Sequence, residues 1–172
     1  MIGGAAGAML CVAAGLAAGM AVRERWTARY ALLQQTQDML ARLRLMLQQE
    51  RLGLCELLEE CAQGLDGGMP QRFRQAADGL RKDPLLPLRE AYRLAEAQVP
   101  CPGEAQGEKE ALHRLFSELG TGTAAMREEA VAACLRRLKP AMEDAQKRNQ
   151  TSGKLCVQLG LLAGLMAGIM LW

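Results

Sequence analysis

WTARYALLQQTQDMLARLRLMLQQE, Trp26–Glu50, carries the apolar stripe of an α-helix. Leu33, Leu40 and Leu47 recur at heptad spacing, and Leu54 continues the series. Trp26, Tyr30, Gln37, Leu43 and Leu57 widen or interrupt the stripe at three- and four-residue offsets. The pattern is related to a coiled coil but broader than its strict seam, and it suits a helix packed in a bundle. A second apolar line, Leu32, Met39 and Met46, implies burial on two sides or a partner surface. The spacing predicts one helix over 23–63, stopped by Gly64, with GLDGGMP (64–70) as a turn.

Shorter helices follow. Gln71 to Leu80 places Phe73, Ala76, Ala77 and Leu80 on one side. Asp83-Pro84 reads as an N-cap and first-turn pair for a helix lined by Leu88, Tyr92 and Ala95. Val99 to Gly107 is a loop, and Glu108 to Leu119 a helix with Leu112, Leu115, Phe116 and Leu119 on one face. Gly120-Thr121-Gly122-Thr123 holds a stop and a new cap. From Ala124 the chain reads as helix to Lys154, with Ala130, Ala133 or Cys134, Leu138, Ala141 or Met142, and Ala145 on its inner face and Pro140 removing one backbone donor. The middle is poor in β-branched residues and rich in Leu, Ala, Gln, Glu and Arg, so the fold class is all-α, a helical bundle.

Charge divides the chain into three parts. All the Asp, Glu, Lys and Arg residues lie between Arg23 and Lys154, leaving apolar ends at 1–22 and 155–172. As helices these ends measure about 33 Å and 27 Å, close to the hydrocarbon thickness of a bilayer. The expected organisation is a transmembrane helix over 1–22, a helical bundle over 23–154 and a second transmembrane helix over 155–172. The rival reading of the first end, a secretory signal, normally has Lys or Arg ahead of its apolar run, whereas Arg23, Arg25 and Arg29 follow this one. Those cations, with Lys147, Arg148 and Lys154 before the second end, place the bundle in the cytoplasm by the positive-inside tendency.

Both ends carry ladders of small residues. Gly3, Gly7, Cys11, Gly15 and Gly19 stand four apart, as do Gly160, Gly164 and Gly168. Such stripes let helix backbones approach closely within a bilayer, and they are the candidate interaction positions, together with Leu32, Met39 and Met46. The contact is within one hairpin, between copies in a homo-oligomer, or with another protein.

Candidate chemistry is sparse. His113 is the single histidine, beside Arg114 and four residues from Ser117, and reads as an edge residue rather than a base. No segment supplies three convergent zinc ligands, and GLDGG and LGTGT lack the Lys-Ser/Thr of a phosphate loop. Cys55, Cys61, Cys101 and Cys134 form no CxxC; a reduced, cytosolic middle fits them better than a disulfide scaffold, although four cysteines could pair. A net charge of +2 gives no strong pull towards nucleic acid. The reading is of a protein without catalytic residues, cofactor or metal.

The layout resembles the stage III sporulation protein AB family of endospore-forming bacteria. WTARYALLQQTQDMLARL (26–43), LFSELGTG (115–122) and the closing KRNQTSGKLCVQLGLLAGLMAGIMLW (147–172) carry the likeness. Lys154, Leu159, Gly160, Leu161, Ala163, Gly164 and Leu165 match the family's closing pattern, and Phe116, Leu119 and Gly120 its Phe-x-x-Leu-Gly element. The chain departs where the family often has Gly-His-Thr-Pro, reading Gln49-Glu50-Arg51-Leu52-Gly53 instead.

The resemblance implies a membrane platform component of the apparatus linking mother cell and forespore. Its soluble region is similar to a helical domain of the platform proteins of type II secretion and type IV pilus machines. The partners implied are the cytoplasmic secretion-type ATPase of the same operon and other sporulation-channel membrane subunits, beside the lipid bilayer. The alternatives are a two-span scaffold of another complex and a small channel or transporter subunit, the latter disfavoured because Gln158 is the one strongly polar residue in the second end.

Overall fold

In the computed structural model the described residues are 2–48 and 53–170, with side chains for 13, 14, 17–48, 53–150, 162 and 166. Among them are six helices and no strand: α1 Ile2–Leu47, α2 Leu54–Ala62, α3 Gly68–Lys82, α4 Leu88–Gln98, α5 Gln106–Thr121 and α6 Ala124–Met170. The chain is all-α. It divides into two compact units, one of 1–30 with 143–172 and one of 31–142, so α1 and α6 contribute to both.

The stripe quoted first is the floor of the core in the 31–142 unit. Leu33, Leu40, Leu43 and Leu47 are buried, and so is Met39. Thr36 is buried among them, its hydroxyl donating to the Leu32 carbonyl at 2.8 Å, which satisfies the one polar group on that face. Leu32 and Met46 are half-buried against the same core.

The helix expected over 23–63 is interrupted. α1 ends at Leu47, and α2 starts anew behind Gly53, whose backbone is extended (φ −68°, ψ 160°). The Glu56 carboxylate accepts the Gly53 N–H at 3.2 Å, and the Gly53 carbonyl accepts from Leu57 at 2.9 Å. That is a helix start, closed by the Glu of a capping box. The heptad conceals it because Leu54 and Leu57 stay in phase after the break and still reach the core. Gly64 follows the end of α2 with φ +71°, as its expected role requires.

Other boundaries differ from the sequence reading as well, α5 running two residues further at each end than Glu108 to Leu119. α3 begins at Gly68, so Met69 and Pro70 belong to its first turn rather than to a loop, a place where proline's missing N–H costs nothing. Asp83 does not cap α4 but closes α3. Its carboxylate accepts from the Leu85 N–H at 3.1 Å and its carbonyl from Leu86 at 3.1 Å, making a turn. Pro87 disfavours helical geometry at Leu86, so α4 waits until Leu88. Thr123 does lead into α6, its carbonyl accepting from Arg127 at 2.9 Å.

Three aromatic rings from consecutive helices lock the centre. Phe73 of α3 meets Phe116 of α5 edge-on at 5.2 Å, and Tyr92 of α4 stacks on Phe116 at 3.9 Å. Phe73 and Tyr92 meet edge-on at 6.3 Å. α5 approaches the start of α4 so closely at Gly120 that a Cβ there would lie 3.2 Å from Leu88 Cβ. Ala130, Val131, Cys134 and Leu138 of α6 complete the core, while Pro140 stands exposed within that helix.

In the 1–30 and 143–172 unit, Arg148 lies over the Trp26 ring, 5.1 Å from its centre, and the Thr27 hydroxyl is 3.2 Å from Asn149 Oδ1. Ala145 is buried. Among the described residues no helix is long and apolar enough to cross a membrane. Most side chains of the two apolar ends, where the spans were expected, lie outside the described residues.

Candidate interaction surfaces and buried polar groups

Cys55, Cys61, Cys101 and Cys134 are free. Burial pushes Cys61 and Cys134 up to about 12, and raises Cys101 as well. A thiol so placed stays protonated and is a poor nucleophile. Half-buried Cys55 is the exception among the four. In the folded chain a maleimide therefore modifies Cys55 at least tenfold faster than the other three, as peptide mapping of timed reactions will show. Equal rates would mean that this core opens readily.

His113 of α5 joins α4 to α5. Its Nε2 lies 2.7 Å from Glu96 Oε2, and Lys109 Nζ lies 3.4 Å from Glu96 Oε1. The ring also meets Tyr92 edge-on at 5.6 Å. The geometry of the pair is that of a helix-to-helix tie. Burial alone would raise the Glu96 carboxyl, but the hydrogen bond and charge of His113, with Lys109 behind them, hold it below the usual carboxylate range. A depressed acid stabilises the fold above its unfolded value and loses that contribution as pH falls through the folded value. Carboxyl-resolved NMR titration should find Glu96 titrating below the ordinary glutamate range, and His113→Gln should move it back up.

A buried ion pair holds the loop between α4 and α5. Arg72 of α3 donates from Nε to the Val99 carbonyl at 2.7 Å and from Nη1 to Glu104 Oε2 at 2.7 Å. Their side chains are 1% and 2% exposed, so water screens neither charge. Beside them the Cys101 sulphur occupies the space that a Cβ on Gly68 would need, at 2.7 Å. These residues pin VPCPGEA against the first turns of α3. No sequence pattern announces the pair, since its members are in different elements.

The surface offers two features. An open groove of about 600 Å³ runs along α2 and α3, walled by Glu59, Glu60, Asp66 and Asp78, with Arg74 tied to the Ala62 and Leu65 carbonyls. Arg81 pairs with Glu59 at 2.5 Å at one wall. Among the described residues no group of three or more His, Cys, Asp or Glu could hold a metal ion. Exposed apolar side chains are also present: Leu85, in the proline-bracketed turn before α4, is 92% exposed, and Leu45 and Met126 are exposed on α1 and α6.

The expected interaction positions divide. Met39 is wholly buried, and Leu32 and Met46 are half-buried against the core. Gly3, Gly7, Gly15 and Gly19 lie in α1, and Gly160, Gly164 and Gly168 in α6. Gly19 is buried; the surroundings of the other six lie outside the described residues.

Comparison with known families decides the kinship. The family model described as Stage III sporulation protein AB matches residues 4–172. The chain belongs to the stage III sporulation protein AB family. No curated protein and no solved structure matched. In this member of the sporulation family, the Phe-x-x-Leu-Gly element has a packing explanation. Phe116 is the centre of the aromatic trio, Leu119 fills the core beside it, and Gly120 admits Leu88.

Proposed function

We propose that this stage III sporulation protein AB homologue is a non-catalytic platform component of the mother cell–forespore apparatus. In this reading its two apolar ends are transmembrane helices, and its charged helical bundle faces the mother-cell cytoplasm. The bundle couples a cytoplasmic secretion-type ATPase of the same operon to the membrane assembly. The observation that carries the proposal is the family match along 4–172, over a chain whose charged residues are confined between two apolar ends. The separate 31–142 unit supports it as the body that would meet the ATPase. The residues with unusual environments, Arg72, Glu104, Glu96 and the buried thiols, are each accounted for by packing. In this reading the activity to test is contact.

Photocrosslinkers placed in sporulating cells at exposed Leu45, Leu85 and Met126 test the coupling. Capture of the ATPase from at least one position is the expected result. Crosslinks confined to membrane subunits would defeat the motor coupling while leaving the platform role. For the anchors, Gly164→Leu places a branched side chain on the small-residue stripe and blocks close helix approach. Assembly into the membrane complex should fall severely, with the 31–142 unit still folded by hydrogen exchange. Normal sporulation and assembly in that variant would remove the ladder from the account.

A further inference from the structure

Two basic stretches far apart in the sequence are brought to one level where α1 meets α6. The contacts of Trp26 with Arg148 and of Thr27 with Asn149 place Arg23, Arg25 and Arg29 at the same level along the helix pair as Lys147 and Arg148. Arg23 is three residues from Trp26, about 5 Å along a helix. Arg23, Arg25, Lys147 and Arg148 are exposed. The acidic residues of this unit are Glu24, Glu143 and Asp144, fewer than its cations, and Asp144 lies 2.9 Å from Arg148. Directly before Arg23 in α1, Met20 and Val22 are 52% and 39% exposed, and on α6 Leu162 and Met166 are exposed too. Trp26, half-buried under Arg148, is an amphipathic ring of the kind that sits at headgroup depth.

We propose that this collar of cations is a binding site for the headgroups of anionic phospholipid. The proposal rests on the membrane reading above and deepens it by naming the lipid class. Charge complementarity and continuity with the exposed apolar side chains argue for a lipid surface: aliphatic groups enter the acyl region while guanidinium and ammonium groups meet phosphate. Arginine suits this role because its planar fork binds phosphate oxygens in pairs. A cation near an anionic surface strengthens binding about fivefold, and salt screens the attraction within about 10 Å. The collar therefore selects anionic over zwitterionic lipid and fixes how deep the anchors sit.

The test uses the full chain in nanodiscs of phosphatidylcholine with a minority of phosphatidylglycerol. Native mass spectrometry reads which lipid stays bound after release. The wild type should retain phosphatidylglycerol about tenfold in preference, with the preference falling as salt rises. The variant Arg23→Gln/Arg25→Gln/Lys147→Gln/Arg148→Gln should stay in the bilayer, keep its helix content by circular dichroism, and lose the preference. Equal retention of both lipids by the wild type, or a preference indifferent to salt and to the substitutions, overturns the collar while leaving the anchors. Extraction of the wild type by alkaline carbonate overturns the anchoring reading itself, and the collar with it.

Discussion

Glu104→Ala leaves the Arg72 guanidinium buried without its counter-charge, and the folded chain loses about 3–5 kcal/mol of stability. The size follows from the 1% and 2% side-chain exposure of the two partners, because a charge with no access to water recovers none of its lost hydration. A loss of that size is a large share of the about 5–15 kcal/mol that holds a typical domain together. The companion variant Arg72→Met/Glu104→Met removes both charges and should recover much of the loss, since an apolar pair of similar volume leaves nothing unpaired. Urea titrations of the full chain, followed by far-ultraviolet circular dichroism, give the three midpoints. A single-site loss below about 1 kcal/mol would show that the loop does not depend on this pair. Hydrogen exchange should place the weakening first in 99–105 and in the early turns of α3.

Phe116→Ala empties the centre of the aromatic trio and costs about 3–5 kcal/mol. Phe116 touches both other rings, at 5.2 Å and 3.9 Å, so its removal ends two ring contacts and opens a cavity among α3, α4 and α5. Phe116→Leu keeps most of the apolar surface and should cost distinctly less. The same urea titrations measure both. Equal, small losses would mean that the neighbours collapse into the space and that the trio has no special part in the fold. A Cβ at Gly120 would lie 3.2 Å from the Leu88 Cβ, so a substitution there asks Leu88 to give by a few tenths of an ångström.

Periodicity was enough to reveal the helical bundle and most of its inward faces. Leu33, Leu40, Leu43 and Leu47, the α5 set of Leu112, Leu115, Phe116 and Leu119, and Ala130, Cys134 and Leu138 are all buried as their spacing implies. Boundaries were harder wherever a local rule competed with the pattern. The break at Gly53 is hidden in the sequence because Leu54 resumes the heptad in phase. Asp83 showed the composition of an N-cap, but Pro87 moved the helix start beyond its reach. The Leu32, Met39 and Met46 line illustrates another ambiguity: a second apolar stripe on a helix looks alike whether a core or a partner covers it. Here the core covers Met39 completely.

The buried Arg72–Glu104 pair lay beyond sequence reasoning for a different reason. An Arg on a helix and a Glu in a distant loop are each ordinary surface residues until the fold closes over them. One weak signal existed, the proline-rich VPCPGEA segment, whose stiffness suits a loop held at a fixed place. The basic collar was half legible. Each cluster stood out beside its apolar end, but only the contacts of Trp26 with Arg148 and Thr27 with Asn149 bring the two to one level.

The most direct test of the account asks which side of the membrane the 31–142 unit occupies. Cys101 is a poor reporter because it is buried, whereas position 85 is 92% exposed. A Leu85→Cys substitution in a Cys55→Ser background gives one accessible thiol in that unit, read with a membrane-impermeant maleimide. The account predicts labelling in inverted vesicles and none in intact cells. Labelling in intact cells would put the unit outside the cytoplasm, and a cytoplasmic ATPase could not touch it.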